Sequence, residues 1–162
     1  VIAPVASAYD VVLAIHIMAV VVAFGATFAF PLMFVVAARP YPHAIPLLHR
    51  VEYTTERLLT NPAIVVVLGA GIYLASKGHH WSEFFVQWGL AAVVVIGAAV
   101  GAVMIPSARR AEELAARDLA AAEEGAATPS EEYLAVVRRL TIVGSLLSLL
   151  VLITILFMAI KP

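Results

Sequence analysis

One histidine stands inside an otherwise apolar run, Leu13-Ala14-Ile15-His16-Ile17-Met18-Ala19. An imidazole there can ligate haem iron through one ring nitrogen while the other is oriented by a hydrogen bond, or it can carry protons. It can also simply bridge helices, with Tyr73, Thr154 or a backbone carbonyl as partner. A group of this kind at membrane depth is expected to face the interior of a bundle. No other apolar run holds a histidine, which disfavours a bis-histidine site; the candidate second ligands are Met158, near the end of the last run, and His79 or His80. The His79-His80-Trp81 cluster has no carboxylate or third imidazole at ligand spacing and reads as solvated. His43 and His49 fall at the opposite end of the chain's apolar segments, too far from His16 to share a haem. The sequence has no cysteine, no phosphate loop, no Ser/His/Asp arrangement and no zincin motif, so it shows no direct catalytic signature.

The elements that must position His16 follow from composition. Of 162 residues, 63% are hydrophobic and 13% charged, and the mean hydropathy is +1.00. Soluble domains carry about a quarter charged residues, so this chain has too little charge to cover a water-facing surface. A soluble enzyme and a nucleic-acid-binding domain are excluded. A bilayer core of about 30 Å takes roughly 20 helical residues per crossing, and the apolar residues fall in four such blocks: 11–38, 58–76, 84–105 and 140–160. The expected architecture is all-α, an antiparallel four-helix transmembrane bundle in a single domain. His16 then lies roughly 8–10 Å below one surface.

Punctuation refines the blocks. Pro31 removes a backbone hydrogen bond inside the first block and predicts a kink. Pro62 suits the first turn of the second membrane helix, preceded at the membrane surface by a polar helix with Arg50, Glu52, Glu56 and Arg57. Pro106 ends the third block. The polar hairpin 107–139 carries Arg109/Glu113 and Glu113/Arg117 at i,i+4, which extends helix three into water, as far as Glu123-Glu124-Gly125. Thr128-Pro129-Ser130-Glu131 has capping-box spacing and starts helix four in water as well. Gly97 with Gly101 and Gly144 with Ser148 offer small surfaces for close helix packing.

Arginine and lysine set the expected orientation. Arg39, Arg50, Arg57, Arg109, Arg110, Arg117, Arg138 and Arg139 fall on one side, and only Lys77 and Lys161 on the other. By the positive-inside rule both termini face out and the extension of helices three and four is cytoplasmic, in a bacterial inner membrane. Tyr9, Tyr73, Trp81 and Trp88 gather at the outer interface, which agrees. The expected partners are the lipid bilayer and other membrane subunits or further copies of the chain, not nucleic acid.

Residues 14–21, then Pro31-Leu32-Met33-Phe34-Val35, Arg57-Leu58-Leu59-Thr60-Asn61-Pro62 and the Lys161-Pro162 ending resemble HemJ-type protoporphyrinogen oxidases. Over nearly its whole length the chain is more similar to an uncharacterised four-span family of bacterial predicted integral membrane proteins, frequent in actinobacteria. The HemJ resemblance implies a four-helix fold and haem b on His16. It does not extend to the oxidase reaction: Ala23 stands where the HemJ pattern has tryptophan, Leu32 where it has arginine, and Trp88-Gly89-Leu90 where it has lysine. Two cations suited to a substrate's propionates are therefore missing. Two functions are carried forward: a b-type haem protein handling electrons or haem, and a non-catalytic accessory subunit of a larger membrane complex.

Overall fold

The computed structural model describes residues 6–37, 40–123 and 129–161, and every regular element among them is helical. Helix α1 spans Ala8–Ala37. A 3-10 turn, Pro42–Ala44, leads into α2 (Ile45–Thr55), which passes through a π turn (Glu56–Thr60) into α3 (Asn61–Gly78). Helix α4 (Phe84–Ala99) passes through a second π turn (Val100–Met104) into α5 (Ile105–Glu123). Helix α6 spans Glu131–Ile160. Four rods are long and apolar enough to cross a membrane.

Both π turns have one cause. Each ends two residues before a proline, Pro62 in one rod and Pro106 in the other. Proline donates no N–H, and its ring crowds the carbonyl four residues back. Widening the preceding turn relieves that crowding: the Asn61 N–H bonds to the Glu56 carbonyl, and the Ile105 N–H to the Val100 carbonyl. The rods then continue. This corrects the expectation of a separate surface helix before Pro62. The segment carrying Glu52 and Glu56 is continuous with α3 and packs along α5 instead. Pro106 likewise ends an apolar block but not its helix, and the rod α4–α5 reaches about 60 Å, twice a bilayer core. Helix α1 runs through Pro31 with no π turn.

The ends are capped by short polar side chains. At α1 the Ser7 N–H donates to Asp10 Oδ2 at 2.9 Å, and the Asp10 N–H donates to Ser7 Oγ at 3.2 Å. At α6 the cap is Ser130, whose Oγ accepts the Tyr133 N–H at 3.3 Å. The cap read from the sequence, Thr128, lies outside the described residues, as do Glu124 and Gly125. Ser130 is fixed in turn by Asp118, whose Oδ2 accepts its N–H at 2.7 Å and its hydroxyl at 2.8 Å. Of the two expected i,i+4 pairs, Arg109–Glu113 forms at 3.4 Å. Arg117 instead reaches across the hairpin to Glu132 and Ser130 Oγ.

The core is shared by all four rods. Ala19, Ala23 and Phe24 of α1, Ile64 and Val67 of α3, Val93 and Ile96 of α4, Met104, and Leu140, Leu147 and Val151 of α6 form one buried cluster, in which α1 packs on α3 and α4 on α6. Ala108 and Ala111 are fully buried and let α2 approach α5 closely. Outside this core the rods present large apolar side chains: Val35 is 75% exposed, Val65 67% and Leu32 66%. Water would not tolerate so continuous an apolar surface, whereas lipid solvates it.

The Asp118–Ser130 clamp yields a pH expectation. The Ser130 N–H first, then the Ser130 hydroxyl and the Arg117 guanidinium, hold the Asp118 carboxyl below the usual carboxylate range. A carboxyl lowered in the folded state stabilises the fold at pH above its unfolded value of about 3.9, and that contribution disappears as pH falls through the lowered value. Amide exchange at the start of α6 should therefore accelerate on acidification, and Asp118→Asn should show fast exchange already at neutral pH. A wild-type rate of opening independent of pH across that range would contradict the clamp.

Candidate functional site

His16 is half-buried on α1 and faces α3. Its Nδ1 lies 3.1 Å from the carbonyl oxygen of Val67. A carbonyl can only accept, so Nδ1 carries the proton and donates. This selects one tautomer and leaves a lone pair on Nε2, which has no hydrogen-bond partner among the described residues. Gly71, one turn beyond Val67, lies against the ring: a Cβ there would just touch it, 3.4 Å from His16 Cε1. Of the three bridging partners weighed from the sequence, the backbone carbonyl is the one realised. Thr154 is occupied, accepting the Trp88 Nε1–H at 3.1 Å and donating to the Leu150 carbonyl at 2.8 Å.

Met158 is held elsewhere. Its terminal methyl lies over Gly89 of α4, where an added Cβ would require the methionine side chain to shift. The neighbouring Phe157 packs edge-on against Trp88 and Phe84, with centroids at 5.1 and 5.5 Å. The structure thus seats His16 against α3 and Met158 against α4. His79 turns the chain in a left-handed conformation at φ 55°, and His80 packs beside Phe85. Among the described residues no three His, Asp or Glu side chains gather as a metal-holding group.

A second polar site lies at the arginine-bearing end, and the sequence reading missed it. His49 is 2% exposed, with Nδ1 3.2 Å from Glu52 Oε2 and Nε2 3.1 Å from the Tyr133 hydroxyl. Its ring stacks obliquely on Phe34 at 4.5 Å. Side chains of α1, α2 and α6 therefore converge on one imidazole. Glu56 and Thr60 continue the same buried stripe, and Glu56 Oε2 is buried with no hydrogen-bond partner. Arg57, the next residue, forms no ion pair with it among the described residues and donates to the Tyr53 hydroxyl at 2.6 Å. The available signal was the spacing of His49, Glu52, Glu56 and Thr60, which places all four on one helical face. Attention to membrane depth alone passed over it.

The chemistry open to the two sites differs. His16 offers a Lewis-basic nitrogen on an oriented ring. The His49 network is a closed set of hydrogen bonds that joins helices and presents no activated nucleophile.

A family model described as "Predicted integral membrane protein (DUF2269)" matches residues 10–162. No curated protein and no solved structure matches the chain.

Proposed function

The chain belongs to that family, and from this premise we propose that it is a b-type haem membrane protein handling electrons or haem, with His16 as the residue that would hold the iron. The observation that carries the reading is the Nδ1–H bond to the Val67 carbonyl. An orienting hydrogen bond on one ring nitrogen, with the lone pair of the other left open, is what a metal-ligating imidazole requires. The donor chemistry therefore fits a haem iron, which when bound would supply one-electron redox chemistry. The protein's own contribution is to fix the tautomer through Val67, to seat the ring against Gly71 and to surround it with apolar side chains. Met158 is the proposed second ligand. Its side chain rests on Gly89, so ligation calls for it to leave that glycine. His16→Ala tests the reading directly: loss of Soret absorbance with the protein still inserted supports it, and full haem retention overturns it.

A specific observation favours the accessory-subunit reading as the alternative. An added Cβ at Gly25, Gly69 or Gly101 would meet nothing within 4 Å. Glycines facing outward from membrane helices suit close packing against another chain. Wild-type protein that carries no haem and co-purifies with a larger membrane assembly would move this reading to first place.

The proposed topology has antiparallel spans, both termini outside and the arginine-bearing hairpin in the cytoplasm of a bacterial inner membrane. The residue pairings support the alternation: Trp88 meets Thr154 while Arg110 meets Glu132, and His16 meets α3 while Phe34 meets His49. The chain has no cysteine, so single labels are clean. Ser82→Cys should react with a membrane-impermeant thiol reagent in intact cells, and Ala121→Cys only after permeabilisation. The reverse pattern would invert the orientation.

A further inference from the structure

Between the π turn at Val100–Met104, α5 and α6 lies a groove of about 400 Å³. Ala102, Val103 and Val143 make its apolar floor, and Arg110, Arg139 and Ser107 its polar rim. The floor belongs to the membrane-depth segments, because the third apolar block ends at Ile105 and the fourth begins at Leu140. The rim sits where those segments end. Next to the floor, Gly101 has open space where a side chain would be. The small-residue pair read from the sequence thus divides its work: Gly97 packs on Ile64, a Cβ there meeting Ile64 Cγ2 at 3.3 Å, and Gly101 faces outward.

We propose that this groove binds an anionic phospholipid, with its phosphate at Arg139 and Arg110 and an acyl chain along Ala102, Val103 and Val143. The charge on the rim supports an anion. Arg139 has no carboxylate partner among the described residues. Arg110 directs Nη1 to Glu113 and Nη2 to Glu132 and keeps Nε–H. Both of those carboxylates stand on the water side: Glu113 is farther along α5, and Glu132 is two turns before Arg139, about 10 Å away along the helix. Facing the membrane, the rim is therefore cationic. A guanidinium offers a phosphate two parallel donors, which an ammonium does not.

Other occupants fit less well. A second copy docking by two-fold symmetry would bring Arg139 toward its own image, and like charges oppose that contact. Inorganic phosphate would meet the rim but leave the floor bare. The comparable groove lined by His43, Arg50 and Glu112 also contains Leu119 and Ala120, far out on α5, and has a carboxylate in its wall. It is built for water rather than for a headgroup at the bilayer boundary.

Native mass spectrometry of the full chain, delipidated in mild detergent, tests the proposal. Phosphatidylglycerol should be retained roughly tenfold better than phosphatidylcholine with the same acyl chains. Arg139→Gln should lower retention to the phosphatidylcholine level, while Arg138→Gln, which removes equal charge outside the groove, should leave it unchanged. Excess inorganic phosphate should not displace the lipid. Equal retention of the two lipids, or an unchanged Arg139→Gln, would overturn the site. Equal loss in Arg138→Gln would reduce it to diffuse charge, and displacement by phosphate would make it a free-anion site; either result rejects a lipid. A matching melting temperature for Arg139→Gln and wild type excludes misfolding as the cause of lost binding.

Discussion

His49→Ala is expected to destabilise the chain by about 3 kcal/mol, the upper part of the range for leaving buried hydrogen-bonding groups without their partner. The substitution strips Glu52 of the Nδ1 donor and Tyr133 of its ring partner, and it leaves a void against Phe34. A carboxylate that is 7% exposed would then be buried beside Glu56, which already has an unpartnered oxygen. The loss should appear as a fall in melting temperature of the detergent-solubilised protein. His49→Ala combined with Glu52→Leu should recover most of it, because the stranded charge goes with its partner. A single-mutant loss under about 1 kcal/mol, of the size seen for exposed pairs, would mean that the network does not hold the helices together.

His16→Ala is expected to abolish Soret absorbance while leaving the protein inserted and folded. The structural cost should be small, about 1 kcal/mol for one interhelical hydrogen bond within a membrane, because Val67 keeps its place in the α3 ladder. The spectroscopic effect should be complete, since no second histidine lies on a membrane-depth segment to take over. Gly71→Val separates position from presence: a Cβ there would just touch the ring, and the branched methyls beyond it should crowd the ring off the Val67 carbonyl, so haem content should fall although His16 remains. Met158→Leu should retain haem and shift the spectrum toward five-coordinate iron. Full haem retention in His16→Ala would remove the proposed ligand.

The four membrane-depth helices were legible because apolar blocks of bilayer length admit few other readings. The extension of the third helix was legible from the Arg and Glu spacing in α5, although Arg117 pairs with Asp118 beside it and with Glu132 across the hairpin rather than with Glu113. The continuous rod through Pro62 was not legible. Proline reads as a boundary, and only the π turn at Glu56–Thr60 shows how the chain absorbs it. The Ser130 cap was not legible, because its hold by Asp118 is a contact twelve residues away in sequence. His16 was found because its polarity contrasts with its neighbours. His49 was missed because its neighbours are polar too, and its burial depends on Phe34 and Tyr133 from distant segments. A composition scan detects a polar residue in an apolar helix far more readily than a buried stripe on a charged one.

Whether His16 ligates haem b is decided by a visible spectrum of the wild-type protein. Protein expressed in haem-replete cells and purified in mild detergent should show a Soret band that sharpens on reduction with dithionite and is absent from His16→Ala prepared in parallel. A folded wild-type protein with no Soret absorbance would contradict ligation and leave His16 as the residue that fastens α1 to α3.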